Sequence, residues 1–575
     1  MDGRGHRSGA AHLALDPARP YKPLDVGNGI VAGTINPAGR WLSLGIAHPR
    51  HGRIVLTTAP PFGEEWRYAA AAVRRYRAAL ASPDRASAGL DLQPAAGPEL
   101  VAGRIVRTPL SVGELLTFAP GGRRGCVQLV RGAGRGALAW TGELRLDRAA
   151  YTQLTEGGPL AVVRSSPASG ESAGVRWIED RGLGAASAIA LAPDAAGLAF
   201  GADRDAAIAE ARSLARDAAA LLAVERARPA AARPVTWLLD HAACETAPDR
   251  IAILADPEIL PLVWTRDAYY VARALLSAAP DDARVRAVVA GYLEWQFESA
   301  GRVDGWWPRS SLASGQPKDV AFQLDQQLYP LLLVAELAAG AGGRMAMDRY
   351  RARALAHLDA LLARADPSGL IATTETPADD RLAQRFHFSS QLLLWRTLTA
   401  FGRPAEPLRA RIRAAFTQAG RFAYAVAGPG GQDARHYHDA NDVPTALAPA
   451  WGFCASDDPV WRATIDFGWS RANDGFVPGA LGGLGSLHTP HPWPLGDLQR
   501  IIVARALRTD GSDAWARLDR VTTWDGLLPE AYDERTGAVA SRHWFAWPVA
   551  LRSWLETDPA FGQAAPLLDA DDRRA

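Results

Sequence analysis

Lysine is nearly missing from this chain. Of 63 basic residues, only Lys22 and Lys318 are lysine, and the rest are arginine. A chain that writes its cations as arginine reflects a GC-rich coding sequence, so a lysine that persists is worth following. Cysteine is scarce as well. Cys126, Cys244 and Cys454 lie far apart, which excludes a disulfide framework and shows no metal-ligand spacing. No apolar run approaches the ~20 residues of a spanning helix. Met1 to Pro20 carries Arg and His but no signal-peptide core, so the expected location is cytoplasmic. Charge of one sign is not in excess either. A net charge of +1 suggests neither a nucleic-acid partner nor an anionic membrane.

What is present is length, tryptophan and alternation. At 575 residues the chain exceeds one compact core, which predicts at least two domains. The 19 tryptophans exceed what a core requires, and flat indole faces hold the apolar faces of sugars. Residues from about 20 to 200 read as β. Short apolar runs at Ile30–Ile35, Trp41–Ile46, Arg53–Thr57, Gly125–Val130, Ala137–Leu146 and Ala161–Arg164 are separated by Gly, Pro and Asp turns, the pattern of a β-sandwich. Between Asp205 and Leu222 the apolar residues fall on one helical face, and the Pro- and Ala-rich stretch Arg226–Pro234 reads as the end of a linker.

After Pro261, helices alternate with long polar, aromatic loops. With the linker helix they make six pairs, and every second helix is apolar almost all round, as an inner helix should be. The expected architecture is α+β and multidomain. An N-terminal β-sandwich (1–200) and a linker with a helix (201–247) precede an (α/α)6 barrel (248–575). The loops entering the inner helices are expected to converge at one end of that barrel.

Those loops hold the candidate chemistry. Cleaving a glycosidic bond takes one carboxyl that gives a proton to the leaving oxygen and one carboxylate that activates water. Glu530, followed by Tyr532 and close in sequence to Arg542 and His543, is the candidate base. Glu375, among threonines, is the candidate acid because partial desolvation would raise its pKa; Asp379, Asp380 and Asp304 are the other choices. Trp264, Arg266 and Asp267 open an inner helix with a cation and an anion suited to adjacent sugar hydroxyls. Lys318 and Asp319 repeat the pairing one hairpin later. Trp306, Trp307, His438, Asp439, His491, Trp493, Tyr532 and Arg542 complete the expected substrate contacts, with His488 either a contact or loop packing. No metal or cofactor is expected.

Trp264-Thr265-Arg266-Asp267, Gly315-Gln316-Pro317-Lys318-Asp319 and Pro529-Glu530-Ala531-Tyr532-Asp533 with Thr536-Gly537 together resemble the glucoamylase-type glycoside hydrolases of family 15. Gly27-Asn28-Gly29 and Gly45-Ile46-Ala47-His48-Pro49 are similar to the β-sandwich of prokaryotic members. Glu375 lacks the preceding Trp and adjoining second Glu of the family's acid segment. The resemblance implies an inverting, exo-acting α-glucosidase without covalent intermediate or catalytic metal, taking glucose from an α-linked oligosaccharide. Inversion calls for two carboxyls about 6.5–9.5 Å apart. Two rivals remain: a phosphorylase of the same architecture, with Arg542 and His543 holding phosphate, and a non-catalytic carbohydrate-binding barrel. The sequence does not state the oligomeric state.

Overall fold

The structure, a computed structural model, describes residues 12–16, 18–48, 52–58, 86–132, 140–142, 144–146, 185–190, 193–194, 197–198, 202–228, 232–258, 260–339 and 344–565. The strand expected at Ala161–Arg164, residues 137–139 and 143, and Pro49 lie outside them.

Two antiparallel sheets open the chain. One has six strands in the order His12–Ala14, Glu99–Val101, Ile105–Pro109, Glu114–Phe118, Gly125–Arg131 and Ala185–Ala190. The other has five, in the order Arg145–Leu146, Gly52–Thr57, Trp41–His48, Val31–Ile35 and Leu24–Gly27. Leu24, Val26, Trp41 and Leu44 of the second sheet share one buried cluster with Leu100, Val106 and Cys126 of the first. Because side chains alternate along a strand, Ile105, Leu116 and Val127 point the other way. They are covered by Ala211, Leu214, Ala218 and Leu222 of helix α1 (Ala202–Ala227).

This corrects one expectation. The sequence pairs α1 with the barrel, yet its apolar stripe lies on the sheet. The helix that joins the barrel is α2 (Arg233–Trp237, extended by a π turn Leu238–Ala242), which starts inside the stretch read as linker. Pro234 sits in its first turn, where a missing N–H costs nothing.

The remaining helices are α3 (Thr265–Ala278), α4 (Ala283–Glu294), α5 (Leu324–Ala339), α6 (Arg344–Leu362), α7 (Phe388–Ala400) and α8 (Glu406–Phe416). They continue with α9 (Val443–Leu447), α10 (Pro459–Gly468), α11 (Pro494–Leu507), α12 (Ser512–Val521) and α13 (Ala546–Thr557). The odd-numbered helices from α3 to α13 touch in sequence, and α13 closes the ring on α3. Tyr270 of α3 stacks on Trp547 of α13 with ring centroids 5.2 Å apart. The even-numbered helices lie outside, as in an (α/α)6 barrel.

The helix starts differ in capping, and outer helices α2, α8 and α12 have no side-chain cap. Asp282 and Asp458 cap outer helices α4 and α10 with side-chain bonds to two backbone N–H groups each. Inner helices α3, α7, α11 and α13 begin at Trp264, His387, Trp493 and Phe545, none of which makes a side-chain cap. Helix N-termini carry partial positive charge, so the inner ring directs it toward the loops above. Helix α5 starts at Leu324, and α8 ends at Phe416, where Ala419 and Gly420 turn the chain with positive φ. Among the described residues no helix is long and apolar enough to cross a membrane.

Candidate active site

The loops converge on a narrow pocket of ≈ 60 Å³ at the N-terminal ends of the inner helices. Ala255, Leu260, Trp264, Arg266 and Asp267 come from the entry to α3, and Pro377, Ala378 and Asp379 from the loop before α7. Asn441 precedes α9; His488 and Trp493 precede α11; Glu530, Arg542 and Phe545 precede α13. Five of the six loops therefore contribute.

On one wall, Glu530 is buried and held by its own hairpin. Ser541 Oγ donates to Oε2 at 2.5 Å, and Arg542 Nη1 donates to Oε1 at 3.0 Å. Arg542 also reaches Asp256 Oδ2 through Nε at 3.3 Å, and its guanidinium lies 4.4 Å from the Phe545 ring centroid. Its φ of +40° is strained for a residue with a side chain, which requires firm neighbours on both sides.

A second group of carboxyls lines or backs the same pocket. Asp379, with φ +63°, accepts from Gln323 Nε2 at 2.7 Å and Trp264 Nε1 at 3.0 Å, with Arg266 Nη2 at 3.6 Å. The same Gln323 nitrogen donates to Glu375 Oε2 at 3.2 Å, so one amide joins two acids. Glu375 is clasped by Arg309 Nη1 at 3.0 and 3.1 Å. Burial nevertheless pushes its pKa up to about 7, against Arg309 and with help from the charge of Asp379. Glu375 is not among the pocket-lining residues; Asp379 is. Asp267 is likewise pushed by burial to about 6, against Arg266 and Arg542.

His488 lines the same pocket. Its Nδ1 lies 3.2 Å from Asp380 Oδ1. That bond raises its pKa, burial opposes, and the charges of Asp380, Glu530 and Asp379 add to the rise. Arg266 is fixed by Asp325 at 2.6 Å. Three buried polar atoms on pocket residues have no protein partner: Asp267 Oδ1, Arg266 Nε and Arg542 Nη2. Buried polar groups are satisfied as a rule, and a polyhydroxylated ligand would supply what these lack.

Several expected contacts are elsewhere. Trp307 is buried against His357 and Arg302, and Trp306 packs on Phe322, so both indoles serve as packing. Lys318 and Asp319 form a buried ion pair at 2.6 Å, and Arg309 links Asp319 to Glu375; they brace the acidic wall from behind. His438 bonds Gln499 at 2.9 Å, and burial brings its pKa down to about 4. Asp439 accepts from Tyr437, Ser486 and Asn441. Tyr532 donates to Asp497 at 2.7 Å, and His491 pairs with Glu534 at 3.0 Å. None of these lines the pocket. Asp304 is exposed in a tight turn with φ +52°. His543 is buried beside Lys22, with its pKa pushed by burial to about 3. Arg542 lines the pocket between Glu530 and Asp256, and His543 does not line it.

Asn441, Phe545, Arg309, Gln323, Ser541 and Asp256 were not anticipated. Only Arg309, in Trp307-Pro308-Arg309, offered a signal: a cation directly beside an aromatic pair in a loop already suspected.

Residues 363–553 match the family model described as metal-independent alpha-mannosidase (GH125). No curated protein sequence matches the chain. Among solved structures, a bacterial glucoamylase complexed with acarbose superposes with TM-score 0.55 at 13% identity, covering 98% of this chain and 96% of that one. A Streptococcus pneumoniae metal-independent alpha mannosidase, in a non-productive complex with alpha-1,6-mannobiose, gives TM-score 0.47 at 21% identity over 56% of this chain and 92% of that one. The resemblance to glucoamylase-type glycosidases read from the sequence stands, and the chain has their six-hairpin fold.

Proposed function

We propose that this protein is a glycoside hydrolase that removes one terminal sugar from α-linked oligosaccharides with inversion, and that the sugar is mannose. One observation carries the reading: Asp379 and Glu530 line the same narrow pocket from different loops. In this reading Asp379 gives its proton to the glycosidic oxygen as the bond to the anomeric carbon breaks. Water attacks that carbon from the opposite face and loses its proton to Glu530. Arg542 and Ser541 hold Glu530, while Gln323 and Trp264 hold Asp379. Glu375, the acid expected from the sequence, is here the buried partner of Asp379 through Gln323.

Mannose is favoured over glucose because the matched mannosidase segment, 363–553, contains Asp379, Asn441, His488, Trp493, Glu530, Arg542 and Phe545. Glucose is the second reading, favoured by the Trp264-Thr265-Arg266-Asp267 motif at the pocket. We keep the division into N-terminal sheets read as a sandwich, a linker and a barrel, with α2 reassigned to the barrel. The oligosaccharide is the proposed partner, and a cytoplasmic location remains part of the proposal.

The test is a panel of α-mannobioses and α-glucobioses, with and without phosphate. Free mannose released independently of phosphate is expected. Glucose release would move the reading to the second sugar, and a requirement for phosphate would make the enzyme a phosphorylase.

A further inference from the structure

The N-terminal sheets are tied to the wall that carries Glu530, and the ties are buried and polar. Ser43, fully buried in Trp41–His48, accepts from Thr34 Oγ1 at 2.8 Å and donates to Glu258 Oε1. Glu258 N donates to Asp256 Oδ1 at 2.7 Å, and Asp256 takes Arg542 Nε at 3.3 Å. Arg542 then holds Glu530. Asp256 and Glu258 sit between Ala255 and Leu260, which face the pocket, so this short segment is shared by sheet and site.

A second tie arrives on the other side of Arg542. Trp544 Nε1 donates to Asp25 Oδ1 at 2.7 Å, while Trp237 Nε1 and Lys22 Nζ donate to Asp25 Oδ2 at 2.6 and 2.5 Å. Lys22 also reaches Asp525 at 2.9 Å. One of the chain's two lysines is thus buried at the junction of the first strand of the sheet and the loop of the base. The strained Arg542 is held through its guanidinium by Asp256 and, two residues on, through Trp544 by Asp25. Strained backbone persists where its surroundings over-determine it.

We propose that the N-terminal sheets orient the base: Ser43 and Asp25 are positioning residues for Glu530, acting through Arg542. The inference rests on Glu530 being the base. It assigns the sheets a catalytic duty in place of a passive attachment, and it explains why a serine and an aspartate are buried where apolar residues would pack.

The experiment compares Ser43→Ala, Ser43→Thr, Trp544→Phe and Glu530→Gln with the wild-type full chain, in steady-state kinetics on an α-mannobiose, with melting temperature recorded for each. Displacing a reacting group by about 1 Å can cost about 100-fold. Ser43→Ala and Trp544→Phe are therefore expected to lower kcat by about 10- to 100-fold with KM within about twofold of wild type. Ser43→Thr keeps the hydroxyl and should keep the rate. Full kcat in both Ser43→Ala and Trp544→Phe, with Glu530→Gln inactive, overturns the positioning role and leaves the base assignment intact. A loss in Ser43→Ala that Ser43→Thr does not restore, or that vanishes when rates are referred to the folded fraction, also overturns it. An active Glu530→Gln overturns both readings.

Discussion

The two walls of the pocket reach their shared task by opposite means. Glu530 lies against a guanidinium and a hydroxyl of its own hairpin, with the sheets behind them. Asp379 lies against an amide and an indole, with Arg266 Nη2 at 3.6 Å and Glu375 sharing the amide. One acid is paired with its own hairpin, and the other is joined through an amide to a buried acid whose pKa burial pushes up to about 7. Pairs of acids whose surroundings differ in this way divide the acid and base roles between them.

The contrast can be broken from either side. Glu530→Gln should leave fold and binding intact and lower kcat by at least ~100-fold on every substrate, because the water loses its base whatever the leaving group. Asp379→Asn should be as damaging on a disaccharide. It should recover to within about tenfold on an aryl glycoside whose leaving group needs no proton, a recovery Glu530→Gln cannot make. Equal recovery in both variants would erase the distinction between the walls.

Smaller effects sharpen the contrast. His488→Ala, which removes a pocket side chain bonded to Asp380, should raise KM more than it lowers kcat, by about 10-fold or less. Glu375→Gln should reveal itself in stability. A carboxyl whose folded pKa is raised binds its proton more tightly than in the unfolded chain, so its contribution falls as pH rises from about 4.5 to about 7. The melting temperature of Glu375→Gln relative to wild type should therefore improve between pH 5 and pH 8. A difference that does not vary with pH would mean that burial does not raise the pKa of Glu375.

The barrel was readable because inner helices must be apolar all round and outer ones need not be. The Arg266–Asp267 pair was readable because its position at a helix start restricts what it can face. Side-chain direction within loops was not readable. Trp306 and Trp307 look like sugar platforms in sequence, and only the packing of His357, Phe322 and Arg302 around them makes them core. Glu375 and Asp379 are four residues apart, and the left-handed turn at Asp379 decides which one reaches the pocket. Lys318 drew notice as a rare residue, and its partner Asp319 as half of a sugar-binding pair. Their actual place is behind Glu375, joined to it through Arg309. The long tie from Ser43 to Glu530 spans most of the chain, and no local pattern encodes it.

The most direct measurement of the two-wall account is the anomer first released from an α-mannobiose, followed by NMR faster than mutarotation. Proton donation from Asp379 on one face, with water delivered by Glu530 on the other, predicts β-mannose. Initial release of α-mannose would mean that a protein group attacks the sugar, and would contradict the division of roles between the walls.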